Sequence, residues 1–206
     1  MEDFNHKTHW ETVYKNKDLK DVSWYQKIPK TSLSFIKYFE LPKTAKIIDI
    51  GGGDSFLVDH LLDLGYKDIT VLDISETALN KAKKRLGSDA KNIKWIVANI
   101  AHFKPTEKYD IWHDRATFHF LNKKEEINSY LDTIQHSITA GGALIIGAFS
   151  EDGPTKCSGI DITQYSKKSM NDIMKNHFEK EKCTYVDHNT PFDTTQKFVF
   201  CGFRKK

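Results

Sequence analysis

Two short segments of this chain end apolar runs in residues suited to holding a nucleotide-like ligand. Ile47-Ile48-Asp49-Ile50-Gly51-Gly52-Gly53-Asp54 stops in a glycine cluster, and Val71-Leu72-Asp73-Ile74-Ser75 stops in an acid. Glycine lacks a Cβ, so the backbone at such a turn can adopt positive φ and pass close to a ligand. A carboxylate about 20 residues after the turn stands where ribose hydroxyls are held in nucleotide-binding folds. Asp73 also reads as a helix-capping acid, but the spacing favours the ribose role, with Ile74 beside it to pack on the base. A third segment, Trp112-His113-Asp114-Arg115-Ala116-Thr117-Phe118-His119-Phe120, gathers two histidines, an aspartate, an arginine and two phenylalanines. Here Asp114 and His119 are candidate general bases. The plainer alternatives are an Asp114–Arg115 ion pair and a hydrogen-bonded helical His119.

These residues need a scaffold, and the hydrophobic pattern supplies one. The spacing predicts a helix over 31–39, a strand over 46–50, a helix over 55–64 closed by Gly65, and a strand over 68–72. Ser75 caps a predicted helix over 76–86 that Gly87 stops. Strands follow over 93–97 and 109–113, then a helix over 123–137, a Gly141-Gly142 turn and a continuously apolar strand over 143–149. A loop over 150–166 and a helix over 167–177 precede two alternating runs, 179–187 and 197–204. Apolar strands alternating with amphipathic helices imply a mostly parallel sheet covered on both faces. The last two runs have no helix between them and so predict an antiparallel pair. A long loop at the active edge of a sheet is usually a substrate wall, which places 150–166 there.

Composition narrows the class. The chain has 206 residues, 39% hydrophobic and 12% aromatic, with a net charge of +3. That suits one globular domain with a sizeable core. The positive charge is scattered, and Lys81–Arg85 reads as the solvated end of a helix rather than a phosphate patch, so no nucleic-acid partner is expected. No run is long enough to span a membrane, and the polar N-terminus lacks the apolar stretch of a secretory signal. Three widely spaced cysteines suit a reducing cytoplasm better than a disulfide framework. The nine histidines show no metal-ligand spacing, so no metal is expected.

Taken together, these motifs resemble the class I S-adenosylmethionine-dependent methyltransferases. Asp49-x-Gly51-x-Gly53 is similar to their first motif, with Ser55 where a third glycine usually stands, and Ala98-Asn99-Ile100 to a later one in which an Asp commonly reads the adenine amine. An acid opening the glycine turn would repel the pyrophosphate of a dinucleotide, which weighs against a dehydrogenase. Trp10-x3-Tyr14, Val22-Ser23-Trp24-Tyr25-Gln26, the 112–121 segment and Gly153-Pro154-x2-Cys157-Ser158-Gly159 resemble a branch of small, mostly bacterial methyltransferases. Thiopurine S-methyltransferase and small eukaryotic protein-lysine methyltransferases are more distant relatives of that branch.

The resemblance implies an α/β fold: a Rossmann-like, doubly wound seven-stranded sheet, mostly parallel, with a C-terminal antiparallel β-hairpin. It implies a single methyltransferase domain over 1–206, with 1–40 an N-terminal lid segment and 46–206 the sheet core. The implied cofactor is S-adenosyl-L-methionine, leaving as S-adenosyl-L-homocysteine. Its expected contacts are Tyr14 and Trp24 at the methionine end, Asp49, Gly51, Gly52 and Gly53 at the turn, Asp73 on the ribose, and Ile74, Asn99 and Ile100 around adenine. His113 and Asp114 are expected beside the methionine moiety, with Asp114 or His119 as base. Direct transfer needs no covalent enzyme intermediate, so Cys157 is not expected to act as a nucleophile. No Asn/Asp-Pro-Pro-Tyr sequence follows the fourth strand, which argues against nucleobase amines as acceptors. The expected acceptor is a small molecule, with a soft sulfur-like nucleophile or a carboxylate that Arg115 could pair; protein lysine is the alternative.

Overall fold

The computed structural model describes residues 4–206. Its strands are β1 (Lys46–Ile50), β2 (Asp68–Asp73), β3 (Ile93–Val97), β4 (Tyr109–Arg115), β5 (Ile138–Phe149), the short β6 (Lys156–Cys157) and β7 (Ile160–Asp161), β8 (Phe178–Asn189) and β9 (Thr195–Lys205). The helices are α1 (His6–Asn16), α2 (Lys30–Tyr38), α3 (Leu57–Asp63), α4 (Glu76–Leu86), α5 (Lys124–Ser137) and α6 (Lys167–Met174). Seven strands form one sheet in the order β3-β2-β1-β4-β5-β9-β8. The first five run parallel, and β9 pairs antiparallel with both β5 and β8. The chain leaves β1 toward β2 on one side and returns from β3 to β4 on the other. In an open α/β sheet that reversal opens a crevice beyond the carboxyl ends of the strands.

Strand periodicity divides the core. Ile48, Ile50, Trp112, Leu144 and Ile146 face α5 and α6, where Tyr130, Ile134, Met170 and Met174 cover them. Ile47, Val71, Ile111 and Ile145 face the other way, against Phe35 and Ile36 of α2 and Leu57 and Leu61 of α3. Successive side chains on a strand point to opposite faces. Asp49, Asp73 and His113 therefore share the face of Ile47, Val71 and Ile111, while Asp114 shares the face of Trp112. Among the described residues no helix is long and apolar enough to cross a membrane.

Three expectations differ from the structure. Gly141-Gly142 is not a free turn: α5 runs directly into β5, and the glycines lie in an irregular stretch between the pairs Tyr109–Ile138 and Ile111–Ala143. Gly141 there takes φ +72°. The 150–166 loop carries the β6–β7 hairpin, whose central residues Ser158 and Gly159 have φ +50° and +81°, as a tight two-residue connection requires. Finally, Cys183 and Cys201 are direct partners in the β8–β9 register and form a disulfide, leaving Cys157 free and buried. Eighteen residues apart in sequence, they meet because the hairpin folds its two arms onto each other.

Candidate active site

The crevice at the β1/β4 reversal is a cleft of about 1310 Å³ including its open mouth. Its floor is the turn after β1. Gly51 and Gly53 have φ +64° and +48°. A Cβ on Gly51 would lie 1.8 Å from Thr117 Oγ1, and one on Gly53 would lie 2.6 Å from the Tyr14 hydroxyl and 3.1 Å from Asp73 Oδ2. The glycines thus let the turn pack against both the post-β4 segment and the N-terminal helix.

Asp49 and His113 lie side by side on adjacent strands. His113 Nδ1 donates to Asp49 Oδ1 at 2.7 Å, and its Nε2 lies 2.9 Å from the Ser32 hydroxyl of α2. This chain of bonds holds a carboxylate beneath the glycine turn. Asp73, the last residue of β2, is 5% exposed. It accepts the Ser75 amide at 2.8 Å, and Ser75 Oγ accepts the Ala78 amide to cap α4. Burial, against the Ser75 and Gly53 amides and with the charges of Asp49 and Glu11, raises the Asp73 pKa to about 7. A carboxylate has about four lone-pair sites, so it keeps acceptor capacity beyond the two amides. Asn99 spends one carbonyl lone pair on the Ala101 amide at 3.0 Å, starting the short helical turn that places Ile100.

The N-terminal helix covers the cleft. Glu11 of α1 accepts from the Glu76 amide at 2.6 Å and from the amide and hydroxyl of Thr77. These are free donors at the N-terminus of α4, where a negative charge is favoured. Burial pushes the Glu11 pKa up, but the Thr77 and Glu76 donors outweigh it and hold it below the usual value. Above this contact, Trp10, Tyr14, Trp24 and Phe120 form an edge-on aromatic cluster, with Trp10–Phe120 at 5.4 Å, Trp10–Trp24 at 5.6 Å and Tyr14–Trp24 at 6.2 Å.

Of the residues nominated for cofactor binding, Tyr14, Trp24, Asp49, Gly51, Gly52, Asp73, Ile74, Asn99, Ile100 and His113 all line this cleft. Gly53 is not among the lining residues, and its amide bonds to Asp73. The two nominated bases lie elsewhere. Asp114 is fully buried on the α5 face of the sheet, where it accepts from the Thr117 and Phe118 amides and from the Tyr130 hydroxyl. It does not pair with Arg115. Burial, against those three donors, raises its pKa to about 6. His119 is also fully buried, against Phe149 and Phe120. Its Nδ1 accepts the Phe149 amide at 3.3 Å, which puts the proton of the neutral ring on Nε2. Burial, with Arg115 nearby, lowers its pKa to about 3. With one nitrogen engaged and the other protonated, His119 has no lone pair with which to act as a base.

Sequence reasoning missed Ser32, Glu11, Thr117 and Phe120. Glu11 had a signal, since it shares a helix face with Tyr14 three residues on. Ser32 had none, because only the packing of α2 on the sheet brings it to His113. Cys157 lines the cleft, but burial pushes its thiol up to about 11, far from a reactive thiolate.

Residues 41–198 match a family model described as a methyltransferase domain. The chain is 29% identical over 107 residues to malonyl-[acyl-carrier protein] O-methyltransferase 2 of Ilyobacter polytropus, covering 52% of this chain and 40% of that protein. It is 27% identical over 180 residues to the eEF1A lysine and N-terminal methyltransferase of Mus musculus, covering 87% of this chain and 24% of that protein. The chain thus spans well under half the length of either relative. Among solved structures, the 1,6-didemethyltoxoflavin-N1-methyltransferase of Burkholderia thailandensis, with bound S-adenosylhomocysteine, superposes with a TM-score of 0.76 at 16% identity, covering 97% of this chain and 87% of that one. The N-methyltransferase NodS of Bradyrhizobium japonicum WM9 gives 0.71 at 14% identity, covering 95% and 97%.

Proposed function

The chain belongs to the methyltransferase-domain family, and we propose that its cleft binds S-adenosylmethionine and transfers the methyl group to a small-molecule acceptor. The observation that carries this reading is the alignment of Asp49 and Asp73 on one sheet face, flanking a glycine turn that no Cβ could enter. Two acids at one ligand suit a cationic nucleoside better than a phosphate. Asp73 would accept the ribose hydroxyls, Ile74 and Ile100 would enclose the adenine, and Asn99 would meet its edge. Asp49, held by His113, would face the ammonium end, with Tyr14 and Trp24 closing over it.

S-adenosylmethionine supplies an electrophilic methyl on a sulfonium, which leaves as a neutral thioether when the acceptor's lone pair forms the new bond. The chain's part is alignment and exclusion of water; well-oriented reactants can account for roughly 7–11 kcal/mol of a barrier. With Asp114 and His119 held elsewhere, the reading favours an acceptor that arrives as an anion, a thiolate or carboxylate, over an amine that must shed a proton. The alternative, a protein lysine, draws on the likeness to the eEF1A methyltransferase across most of this chain.

The test is incubation of the purified protein with cell lysate and methyl-labelled cofactor. Label in small extractable products is expected. Label confined to a discrete protein band would favour lysine instead, and absence of both would end the methyltransferase reading. A pH dependence follows from Asp73. Below about pH 7 its carboxyl is protonated and has lost its charge, so affinity for S-adenosylhomocysteine should rise with pH up to about 7, by at most about tenfold per unit, and then level off. Calorimetric titration across that range checks it, and a flat profile removes the ionised Asp73 from the contact. In the free protein the sign is opposite. The raised pKa means that the native state binds the proton more tightly than the unfolded chain, so this group's contribution to stability declines as pH rises from 3.8 to about 7.

A further inference from the structure

Arg115, at the end of β4, lines the cleft, where the Asp49 charge acts on it without forming a salt bridge. Its Nη1 donates to the Trp24 carbonyl at 3.1 Å, and its guanidinium lies over the Phe198 ring with its carbon 5.1 Å from the centroid. Its Nη2 is buried without a hydrogen-bond partner, and among the described residues the arginines in salt bridges are Arg85 and Arg204. His119 Nε2 is likewise buried without a partner, and its bond to the Phe149 amide makes that nitrogen a donor. Both residues belong to the segment leaving β4, and the guanidinium acts electrostatically on the imidazole. Two buried donors without an acceptor are costly to leave unmade. A group that only accepts, and that carries negative charge, would satisfy the Arg115 donor from within the cleft, which His119 does not line.

The position says which ligand brings that group. The nucleoside side of the cleft lies over β1, β2 and β3, at Asp49, Asp73 and Asn99. Arg115 feels the Asp49 charge, but its contacts lie on the other side, with Phe198 of β9, the Trp24 carbonyl and Cys157 of the hairpin after β5. Building on the methyltransferase reading, we propose that Arg115 is the acceptor-anchoring residue, taking a carboxylate on the acceptor and thereby selecting anionic substrates. A guanidinium fork suits the two oxygens of a carboxylate. The anchored carboxylate is distinct from the reacting atom, because a guanidinium draws electron density from the oxygens it holds.

The experiment uses the full chain saturated with S-adenosylhomocysteine and titrates three carboxylates, benzoate, phenylacetate and 3-phenylpropanoate, each against its amide. The wild-type protein is expected to prefer at least one carboxylate by about tenfold or more, as a charge-assisted bond implies. Arg115→Met should abolish the preference and Arg115→Lys should reduce it, with the affinities for S-adenosylhomocysteine and 5′-methylthioadenosine staying within about twofold of wild type. If Arg115→Met fails to fold, Arg115→Lys alone decides. No carboxylate preference in the wild type overturns the proposal. So does a loss of S-adenosylhomocysteine binding with methylthioadenosine binding intact, which would give the guanidinium to the cofactor's own carboxylate. If the wild type binds neither nucleoside, the methyltransferase reading fails, while titration of the unliganded protein still tests Arg115.

Discussion

Asp73→Ala is expected to weaken S-adenosylhomocysteine binding by about 10- to 150-fold, the equivalent of roughly 1.5–3 kcal/mol for a hydrogen bond to a charged group. Asp73 is the one acid at the end of β2 and is almost fully enclosed, so water cannot take over its acceptor role. Its cost to the free protein sharpens the test. Burial already holds its pKa near 7, which means that the ionised carboxylate is unfavourable there until a ligand supplies donors. Asp73→Asn, which keeps the shape, should therefore leave the thermal midpoint at about pH 8 unchanged or raised while binding falls, as in a site that trades stability for activity. Calorimetry with thermal unfolding on both variants checks this. Unchanged affinity would discard the ribose assignment, and a collapse in stability for Asp73→Asn would recast the residue as structural.

Asp114→Ala should lose stability rather than chemistry. The substitution strands the Thr117 and Phe118 amides and the Tyr130 hydroxyl, all bonded to this carboxylate. Breaking a buried charged network by removing one partner costs about 3–5 kcal/mol. For a chain of this size that is a fall in Tm of roughly 6–20 °C. A general base would behave differently: turnover would drop by about 10²-fold or more with the midpoint unmoved. Activity per folded molecule, measured well below the variant's midpoint, separates the two. The structure predicts it to be near that of the wild type, because Asp114 faces α5 and not the cleft.

The contrast between His113 and Asp114 shows how far the sequence could be read. Both were visible as polar residues closing a buried strand, and both were expected beside the methionine end. Side-chain direction alternates along β4, and register pairs His113 with Asp49 and Asp114 with Ile50. Once that pairing is known, His113 belongs to the site and Asp114 to the core on the other face. His119 was legible as a titratable group but not as one enclosed by Phe149, a residue thirty positions later in the chain.

The elements themselves were mostly legible because their signals are local. Ser75 caps α4 through a residue three positions on, Gly65 and Gly87 take positive φ just beyond helix ends, and the two final runs carry alternation without a helix between them. The glycine turn and the acid at the end of β2 are local features too, so the amino-acid order alone was enough to place a nucleoside-type site on an α/β scaffold. What needed the folded chain were relations between distant segments: the Cys183–Cys201 link across β8 and β9, the Glu11 carboxylate seated on α4, Ser32 against His113, and Arg115 set among Phe198, Trp24 and Cys157. Each depends on which strands lie side by side, in what register, and on which face their side chains emerge. Those are set by the burial of the whole sheet between its two layers of helices, which no short stretch of sequence encodes.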